Sequence, residues 1–279
     1  MEVTRTIAAF REARARLAGP VGLFPTLGGV HAGHLALVDR ARAECASVVS
    51  TLFLNPTQFG PTEDLDRYPH DEASDLAKLE AQGVDLVLVP ERAEMYPPGF
   101  ETTVHVGGIT RRLEGERRPG HFDGVTTVVT KLLTITSPDR AYFGEKDAQQ
   151  LRVIRQLVRD LNLPVEIVAC PTVRDPDGLA LSSRNAYLSV EERQAALALS
   201  RGLRKAESAF AAGERSAEAL RGLVSSELEA EALVRTDYVS VADDVTLEEL
   251  DGAVEGPAVL SLAAHVGATH LIDNVTLVP

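Results

Sequence analysis

The chain has 279 residues, of which 44% are hydrophobic, and this is enough to bury a sizeable core in one large or two moderate domains. Its 41 acidic residues outnumber 28 basic residues and give a net charge of −13, which argues against nucleic-acid binding, because phosphate backbones are held by clustered lysine and arginine. The first residues lack a secretory leader and no apolar run approaches about 18 residues, so we expect neither export nor membrane insertion and predict a cytoplasmic protein.

Short apolar segments alternate with segments of helical periodicity over the first 170 residues. Strands are predicted at residues 21–25, 48–54, 86–89, 141–144 and 165–170. Helices are predicted to begin at residue 33 and to cover residues 71–82, 124–136 and 147–160. Strands with helical crossovers form a parallel sheet covered on both faces, which binds ligands at the carboxyl ends of its strands. Cys45 and Cys170 are isolated, which is typical of reduced core thiols.

The pattern changes after Pro171. A capping box at Ser189 and Glu192 opens an alanine-rich helix to about Ala212, and a second helix is predicted over residues 216–234. Strands follow at residues 238–242, 258–266 and 269–275, with a hairpin between the last two. We therefore predict two domains, an α/β domain over residues 1–173 and a smaller α+β domain over residues 174–279.

The most informative motif, P-T-L-G-G-V-H-A-G-H at residues 25–34, joins the end of a strand to the start of a helix. Glycines let the backbone approach a ligand, and a helix start offers N–H groups and a positive dipole end to an anion. His31 and His34 are one turn apart and can donate to phosphate oxygens. The histidine spacing alone is common, but its setting predicts a nucleotide site. The motif is neither a P-loop nor a G-x-G-x-x-G fingerprint, and it matches the H-x-G-H signature of adenylyl-transferring α/β enzymes.

Three further motifs follow predicted strands or the domain boundary. They are F-L-N-P-T-Q-F at residues 53–59, F-G-E-K-D-A-Q-Q at 143–150 and G-L-A-L-S-S-R-N at 178–185. Each alone is also explained as a turn, a helix cap or a solvated charge. Arg111, Arg112, Arg117 and Arg118 form a local basic patch that fits a solvated turn or a ligand clamp.

Taken in order, and together with H-F-D-G-V at residues 121–125, these motifs resemble the pantothenate synthetase family, most clearly over residues 20–190. The resemblance implies a Rossmann-like first domain and a smaller second domain that closes over the active site. It also implies an ATP-dependent ligase that joins pantoate to β-alanine through a pantoyl adenylate, with release of AMP and pyrophosphate. The product would be pantothenate, the coenzyme A precursor. Mg²⁺ as cofactor and a homodimer are further implications.

The resemblance also implies roles for individual residues. His34 would be the proton donor and His31 its partner on the phosphates, with Lys146 and Arg184 as further catalytic residues. Gln58 and Gln150 would bind pantoate, and Gln58 would also lie near β-alanine. ATP would contact Leu27, Gly28, Gly29, Val30, His31, Ala32, Gly33, His34, Gly144, Glu145, Lys146, Asp147, Val173, Leu181, Ser182, Ser183 and Arg184. Asn55, Arg118 and His121 match supporting positions.

The chain departs from the family pattern at three positions, which lie among these residues or next to them. The family usually has methionine at Leu27, an acidic or polar residue at Ala32 and an aromatic residue at Ala148. Ala32 is expected to face outward, whereas Ala148 would loosen the wall of the pocket. Of an acidic cluster that would assist Mg²⁺, Asp75 remains, so no protein ligand is assigned to the metal and ATP oxygens are expected to hold it.

Two other classes of function share part of this pattern. A nucleotidylyltransferase acting on a small phosphorylated substrate would share H-x-G-H but would need basic residues, rather than Gln58 and Gln150, for the second phosphate. A non-catalytic nucleotide sensor would keep the glycines without the histidines and Lys146. The residue types also fit the chemistry of the ligase, because imidazoles, Lys146, Arg184 and helix N–H groups can neutralise the charge that grows on a departing pyrophosphate.

Overall fold

The computed structural model describes residues 1–279, and the chain divides into two compact units. The first unit comprises residues 1–145 and 150–171, and the second comprises residues 146–149 and 172–279. Each unit contains its own sheet, with six strands in the first and three in the second. None of the helices combines the length and the apolar character needed to cross a lipid bilayer.

The first unit is an α/β structure in which strands and helices alternate. Its strands are β1 (Glu2–Thr4), β2 (Val21–Thr26), β3 (Ser47–Leu52), β4 (Leu86–Leu88), β5 (Arg140–Gly144) and β6 (Glu166–Cys170). Its helices are α1 (Ile7–Arg14), α2 (Ala32–Glu44), α3 (Glu72–Ala81), α4 (Arg92–Met95), α5 (Glu114–Arg117), α6 (His121–Thr136) and α7 (Ala148–Asp160), and the first two residues of α7 belong to the second unit. Short 3₁₀ turns occupy Pro56–Gln58, Leu65–Arg67 and Ile109–Arg111.

All six strands of this sheet run parallel in the order β1-β4-β3-β2-β5-β6. Every residue of β3 is buried, as expected for a strand covered on both faces. The five predicted strands and the parallel α/β class are confirmed. Strand β1 was not predicted, because three residues are too few to establish a period, and its pairing with β4 creates it.

The order of the strands places the candidate site. After β2 the chain moves outward through β3 and β4, whereas β5 pairs with the opposite side of β2. The direction of winding therefore reverses between β2 and β5. Open parallel sheets bind ligands in the crevice at such a reversal, beyond the carboxyl ends of the strands. Three of the sequence motifs follow β3, β2 and β5, which are neighbours in the sheet.

The second unit packs two helices against a small antiparallel sheet. A 3₁₀ turn covers Ser183–Tyr187, the helices are α8 (Val190–Ala211) and α9 (Ala217–Glu229), and the strands are β7 (Val234–Asp243), β8 (Ala258–Val266) and β9 (Thr269–Leu277). The core joins Leu199 and Leu203 of α8 to Leu260 and Leu262 of β8. The smaller α+β architecture, the capping box at Ser189 and the hairpin between β8 and β9 are all confirmed.

Two helix boundaries differ from the prediction. The helix predicted to run to residue 234 ends at Glu229, because Val234 instead opens β7 and pairs with Val266. The helix predicted from residue 124 begins three residues earlier, at His121. Both cysteines are buried free thiols, as predicted, and burial raises the pKa of the Cys170 thiol to about 11.

Candidate active site

A glycine turn joins β2 to α2 and forms the first part of the candidate site. Gly28 and Gly29 have φ values of +112° and +64°, in the left-handed region where a side chain would strain the backbone. The turn leads into the first N–H groups of α2, which have no partner within the helix. No acidic side chain occupies this first helical turn, so the positive end of the helix dipole favours an anion.

The buried carboxylate of Asp75 fixes this turn to α3. Its Oδ2 accepts the Gly29 N–H at 2.9 Å and its Oδ1 accepts the Val30 N–H at 2.7 Å, and the residue is 1% exposed. Lys78, three residues further along α3, donates from Nζ to the Val30 carbonyl at 2.8 Å. Charged partners make these hydrogen bonds stronger than neutral ones. Helix α3 therefore fixes the backbone of the turn before any ligand binds.

His31 and His34 cap the start of α2 reciprocally. The Nδ1 of His31 accepts the Gly33 N–H at 3.1 Å, and the Nδ1 of His34 accepts the His31 N–H at 3.4 Å. The two rings stack with centroids 4.0 Å apart, so they lie on the same side of the helix, as their spacing predicts. A ring nitrogen that accepts a hydrogen bond carries no proton. Each neutral imidazole therefore has its donor at Nε2.

An amide cluster follows β3 and forms the second part of the candidate site. Asn55, which is fully buried, donates from Nδ2 to Gln58 Oε1 at 3.0 Å and to the Gly124 carbonyl at 3.2 Å. The Oδ1 of Asn55 accepts from Tyr96 Oη at 2.8 Å and from Thr57 Oγ1 at 2.9 Å. Because the oxygen of the Gln58 amide accepts a hydrogen bond from Asn55, Asn55 fixes the orientation of that amide.

Helix α6 approaches this cluster more closely than a side chain would allow. A Cβ at Gly124 would lie 2.3 Å from the Thr57 carbonyl oxygen and 2.6 Å from the Gln58 nitrogen. Such distances are well inside van der Waals contact. Glycine at this position therefore lets the first turn of α6 press against the 3₁₀ turn that carries Gln58.

A chain of charged and polar groups holds the Gln58 backbone from the other side. His121 donates from Nδ1 to the Gln58 carbonyl at 2.7 Å, and Arg118 Nη1 donates to His121 Nε2 at 3.2 Å. Arg118 also donates from Nε to Glu63 Oε1 at 2.8 Å. Burial opposes ionisation of Glu63, but the hydrogen bonds and charge of Arg118 outweigh it and lower the pKa of this carboxyl. The guanidinium is thereby kept in place beside His121.

The third motif follows β5. The Glu145 N–H donates to the Cys170 carbonyl at 2.8 Å, which ties the end of β5 to the end of β6. Lys146 Nζ lies 3.6 Å from Asp147 Oδ1, and the Lys146 carbonyl accepts from Asn274 within the second unit. Gln150 lies in α7 and is partly buried.

The remaining predicted residues lie in a short hairpin of the second unit. The Leu181 N–H donates to the Val173 carbonyl at 2.9 Å, so these two predicted ATP contacts pair with each other. Ser182 caps the following 3₁₀ turn by accepting the Arg184 N–H at 3.3 Å. Ser183 and Arg184 form the start of that turn.

Sequence reasoning assigned Asp75 to a depleted magnesium cluster and overlooked its bonds to the glycine turn. A signal was present, since Asp75 shares the buried face of α3 with Leu79, and a carboxylate on an apolar helix face requires a partner. Lys78, Tyr96 and Glu63 were also missed, because their partners are distant in sequence. Of the departures from the family pattern, Ala32 is exposed, as predicted, and Ala148 is 6% exposed.

A parallel sheet with a glycine turn and a histidine-capped helix at its point of reversal is the architecture of nucleotide-dependent α/β enzymes. The family model for pantoate-beta-alanine ligase matches residues 2–276. The chain belongs to this family of ligases.

Individual relatives cover nearly the whole chain. It is 60% identical to the pantothenate synthetase of Roseiflexus sp. (strain RS-1) over 277 residues, 99% of each protein. The crystal structure of pantothenate synthetase from Thermus thermophilus matches with a TM-score of 0.94 and 47% identity, and covers 100% of both chains. The pantoate-beta-alanine ligase from Francisella tularensis, complexed with beta-gamma ATP and β-alanine, matches with a TM-score of 0.82 and 33% identity over 99% of this chain and 97% of that one.

The bonds of Asp75 lead to a prediction about stability. Asp75→Asn replaces one of the two acceptor oxygens with an NH₂ group that faces an N–H donor. We expect the free energy of unfolding to fall by about 1–3 kcal/mol, the cost of an unsatisfied buried polar group. We also expect faster amide hydrogen exchange at Gly29 and Val30.

Asp71→Asn is the matched control, because Asp71 caps the same helix at an exposed position by accepting the Ser74 N–H, and asparagine caps equally well. Urea unfolding and hydrogen exchange compare the two variants. Equal stability and equal exchange in both would contradict the role given to Asp75.

Proposed function

We propose that this chain condenses pantoate with β-alanine to give pantothenate, with conversion of ATP to AMP and pyrophosphate through a pantoyl adenylate. Membership of the ligase family supports the overall reaction, as does the Francisella relative complexed with beta-gamma ATP and β-alanine. The observation that carries the proposal is the position of a braced glycine turn and a buried amide donor after the neighbouring strands β2 and β3. The glycine turn suits a triphosphate, and the amide donor suits a small polar acid.

In the first step, the pantoate carboxylate attacks the α-phosphorus of ATP, a P–O bond forms, and the bond to pyrophosphate breaks. Negative charge grows on the leaving pyrophosphate. The N–H groups at the start of α2 and the Nε2 donors of His31 and His34 are suited to bind that charge, with His34 as the proton donor. Since Asp75 fixes the turn beforehand, these donors need little reorganisation during the reaction.

In the second step, the amine of β-alanine attacks the acyl carbon, a C–N bond forms, and AMP leaves. The NH₂ of Gln58 is the proposed donor to pantoate, oriented by Asn55, and Gln58 also serves the β-alanine side. Gln150 is the second proposed pantoate ligand. No nucleophilic side chain is required, because the site brings two substrates together and proximity supplies much of the rate.

The ATP contacts assigned to residues of the second unit stay predictions. They concern Lys146, Asp147, Val173, Leu181, Ser182, Ser183 and Arg184. Lysine and arginine at two of these positions suit the phosphates of ATP, Arg184 through paired N–H donors and Lys146 as a point charge.

We propose that Mg²⁺ enters as part of the nucleotide substrate. Asp75 does not suit it as a ligand, because both carboxylate oxygens already accept N–H groups of the glycine turn. Mg²⁺ commonly binds through substrate phosphates and retained water molecules. The proposals of a cytoplasmic location and a homodimer follow from the composition and the family resemblance.

Pyrophosphate exchange tests the two-step reaction. We expect labelled pyrophosphate to enter ATP when pantoate and Mg²⁺ are present and β-alanine is absent, because adenylate formation is reversible and does not need the amine. A concerted ligase would exchange only with β-alanine, and a nucleotidylyltransferase would exchange without regard to pantoate. Absence of pantoate-dependent exchange in folded, ATP-binding protein would exclude the adenylate route.

His34→Ala tests the proposed phosphate donor. We expect the rate of adenylate formation to fall about a hundredfold or more, roughly 2.7–4 kcal/mol, as for removal of one preorganised donor. ATP binding should change less, because the donor acts mainly on charge that develops in the transition state.

His34→Gln separates catalysis from helix capping, since glutamine at this position can restore the capping box. We expect it to recover thermal stability while exchange stays slow. Recovery of both stability and rate would mean that His34 acts only as a cap.

Gln58→Ala and Gln150→Ala test the pantoate site. Each should raise the KM for pantoate roughly fivefold to 150-fold, the equivalent of about 1–3 kcal/mol for a polar group left unsatisfied, and affect ATP much less. Gln156→Ala, on α7 with Gln150, is the matched control and should leave both KM values unchanged. Equal losses for pantoate and ATP would argue against the assignment.

A further inference from the structure

Three metal-ligating side chains meet on the small sheet of the second unit. They are Asp237 of β7, His265 of β8 and His270 of β9, one from each strand. One ligand atom from each residue lies within 4.8 Å of the other two. The proposed ligase reaction uses none of these groups.

The sheet itself brings the two histidines together. His265 and His270 are directly paired across the hairpin that turns at Gly267 and Ala268, so their side chains emerge on the same face. Their ring centroids are 4.8 Å apart and the ring planes are inclined by 46°. The hairpin register therefore places these two histidines, five residues apart in sequence, side by side.

A β-bulge brings the carboxylate to the same place. Thr236 pairs with Ala264 and Tyr238 pairs with Ala263, so Asp237 is an extra residue in β7, inserted between two consecutive pairs of the ladder. Bulges re-aim side chains and are common beside functional sites. This irregularity is a second observation, independent of the histidine pair, that points to the same spot.

The three side chains converge above the central strand. Since β7 and β9 flank β8, their backbones are separated by two strand spacings, about 9.5 Å. Yet His270 Nε2 lies 3.5 Å from Asp237 Oδ2. These two side chains are 25% and 17% exposed, although the Nε2 atom of His270 itself is buried, and the sheet holds both residues in position.

Two imidazoles and one carboxylate form a ligand set typical of Zn²⁺, with a fourth position for water. Ligand atoms around tetrahedral zinc at bond lengths near 2.0–2.1 Å are about 3.3 Å apart, so atoms that lie within 4.8 Å of one another need to approach by about 1.5 Å or less. Mg²⁺ prefers oxygen ligands and does not suit the histidines. Arg235 lies opposite His265 but is exposed, so water and salt screen its charge.

We propose that Asp237, His265 and His270 bind one Zn²⁺ ion, which clasps the three strands of the small sheet together. The ion joins the bulge of β7 to the hairpin of β8 and β9 and stabilises the folded second unit by binding it in preference to the unfolded chain. An ordinary His270–Asp237 ion pair accounts for two of the three groups and needs no contribution from His265.

Zinc titration of the full chain, prepared without a polyhistidine tag and stripped with chelator, tests the proposal. In competition with a chromophoric zinc chelator we expect one Zn²⁺ per chain and a zinc-dependent rise in melting temperature that Mg²⁺ does not reproduce. His265→Gln, His270→Gln and Asp237→Asn should each weaken zinc binding by at least the roughly 10- to 100-fold that loss of an outer partner costs a metal site.

His105→Gln is the matched control, because it removes an exposed histidine that contacts a carboxylate, Asp123, in the first unit. It should bind zinc as the original chain does. Circular dichroism checks that each variant is folded. If one variant fails to fold, the other two still test the proposal. The proposal is overturned if the chain takes up no zinc, or if His265→Gln binds zinc as tightly as the original chain, which would leave only the ion pair.

Discussion

The hydrogen bonds from Gly29 and Val30 to the Asp75 carboxylate are the interaction on which the candidate site depends. A turn with two consecutive glycines at positive φ has many accessible conformations in the unfolded chain, and its N–H groups need acceptors when it is ordered. One buried carboxylate supplies both acceptors, and the neighbouring Lys78 supplies a donor to the Val30 carbonyl. Helix α3 thus determines where the start of α2, and with it the histidine pair, is held.

The amide cluster is also fixed by hydrogen bonds to a buried polar side chain, which here is an amide instead of a carboxylate. Asn55 is fully buried, and both ends of its amide are satisfied, by Gln58, Gly124, Tyr96 and Thr57. A buried network in which every member is paired is rigid, because breaking any one bond leaves a polar group without water. The Gln58 amide is therefore oriented by its neighbours in the structure itself.

In the second unit, contacts on both faces stabilise a three-stranded sheet. Its helices cover the face that carries Leu260 and Leu262, while Arg174 pairs with the buried Asp273 through two hydrogen bonds. Apolar burial stabilises one face of the sheet. On the other face, the hairpin ladder pairs His265 with His270, and the bulge in β7 adds Asp237 beside them.

The sequence by itself determined the class of fold and the principal motifs. Apolar runs such as residues 48–54 and the glycine turn before His31 carry local signals, since strand burial, φ preference and helix capping depend on residues close together in the chain. The family resemblance was likewise readable, because its motifs are continuous segments, and membership of the ligase family is confirmed. The roles of individual residues, His34 and Gln58 included, stay predictions.

Tertiary structure alone decided how these segments are held. Asp75 lies 46 residues from Gly29, and Gly124 meets Thr57 across a longer gap, so neither contact leaves a local pattern. Strand β1 forms through its pairing with β4, and α9 stops at Glu229, after which Val234 opens β7 and pairs with Val266. The meeting of Asp237 with His270 required both a bulge and a hairpin register. Long-range hydrogen bonds and strand pairing form only in the folded chain, where they can override the conformational preference of a short segment. A sequence analysed segment by segment does not show these contacts.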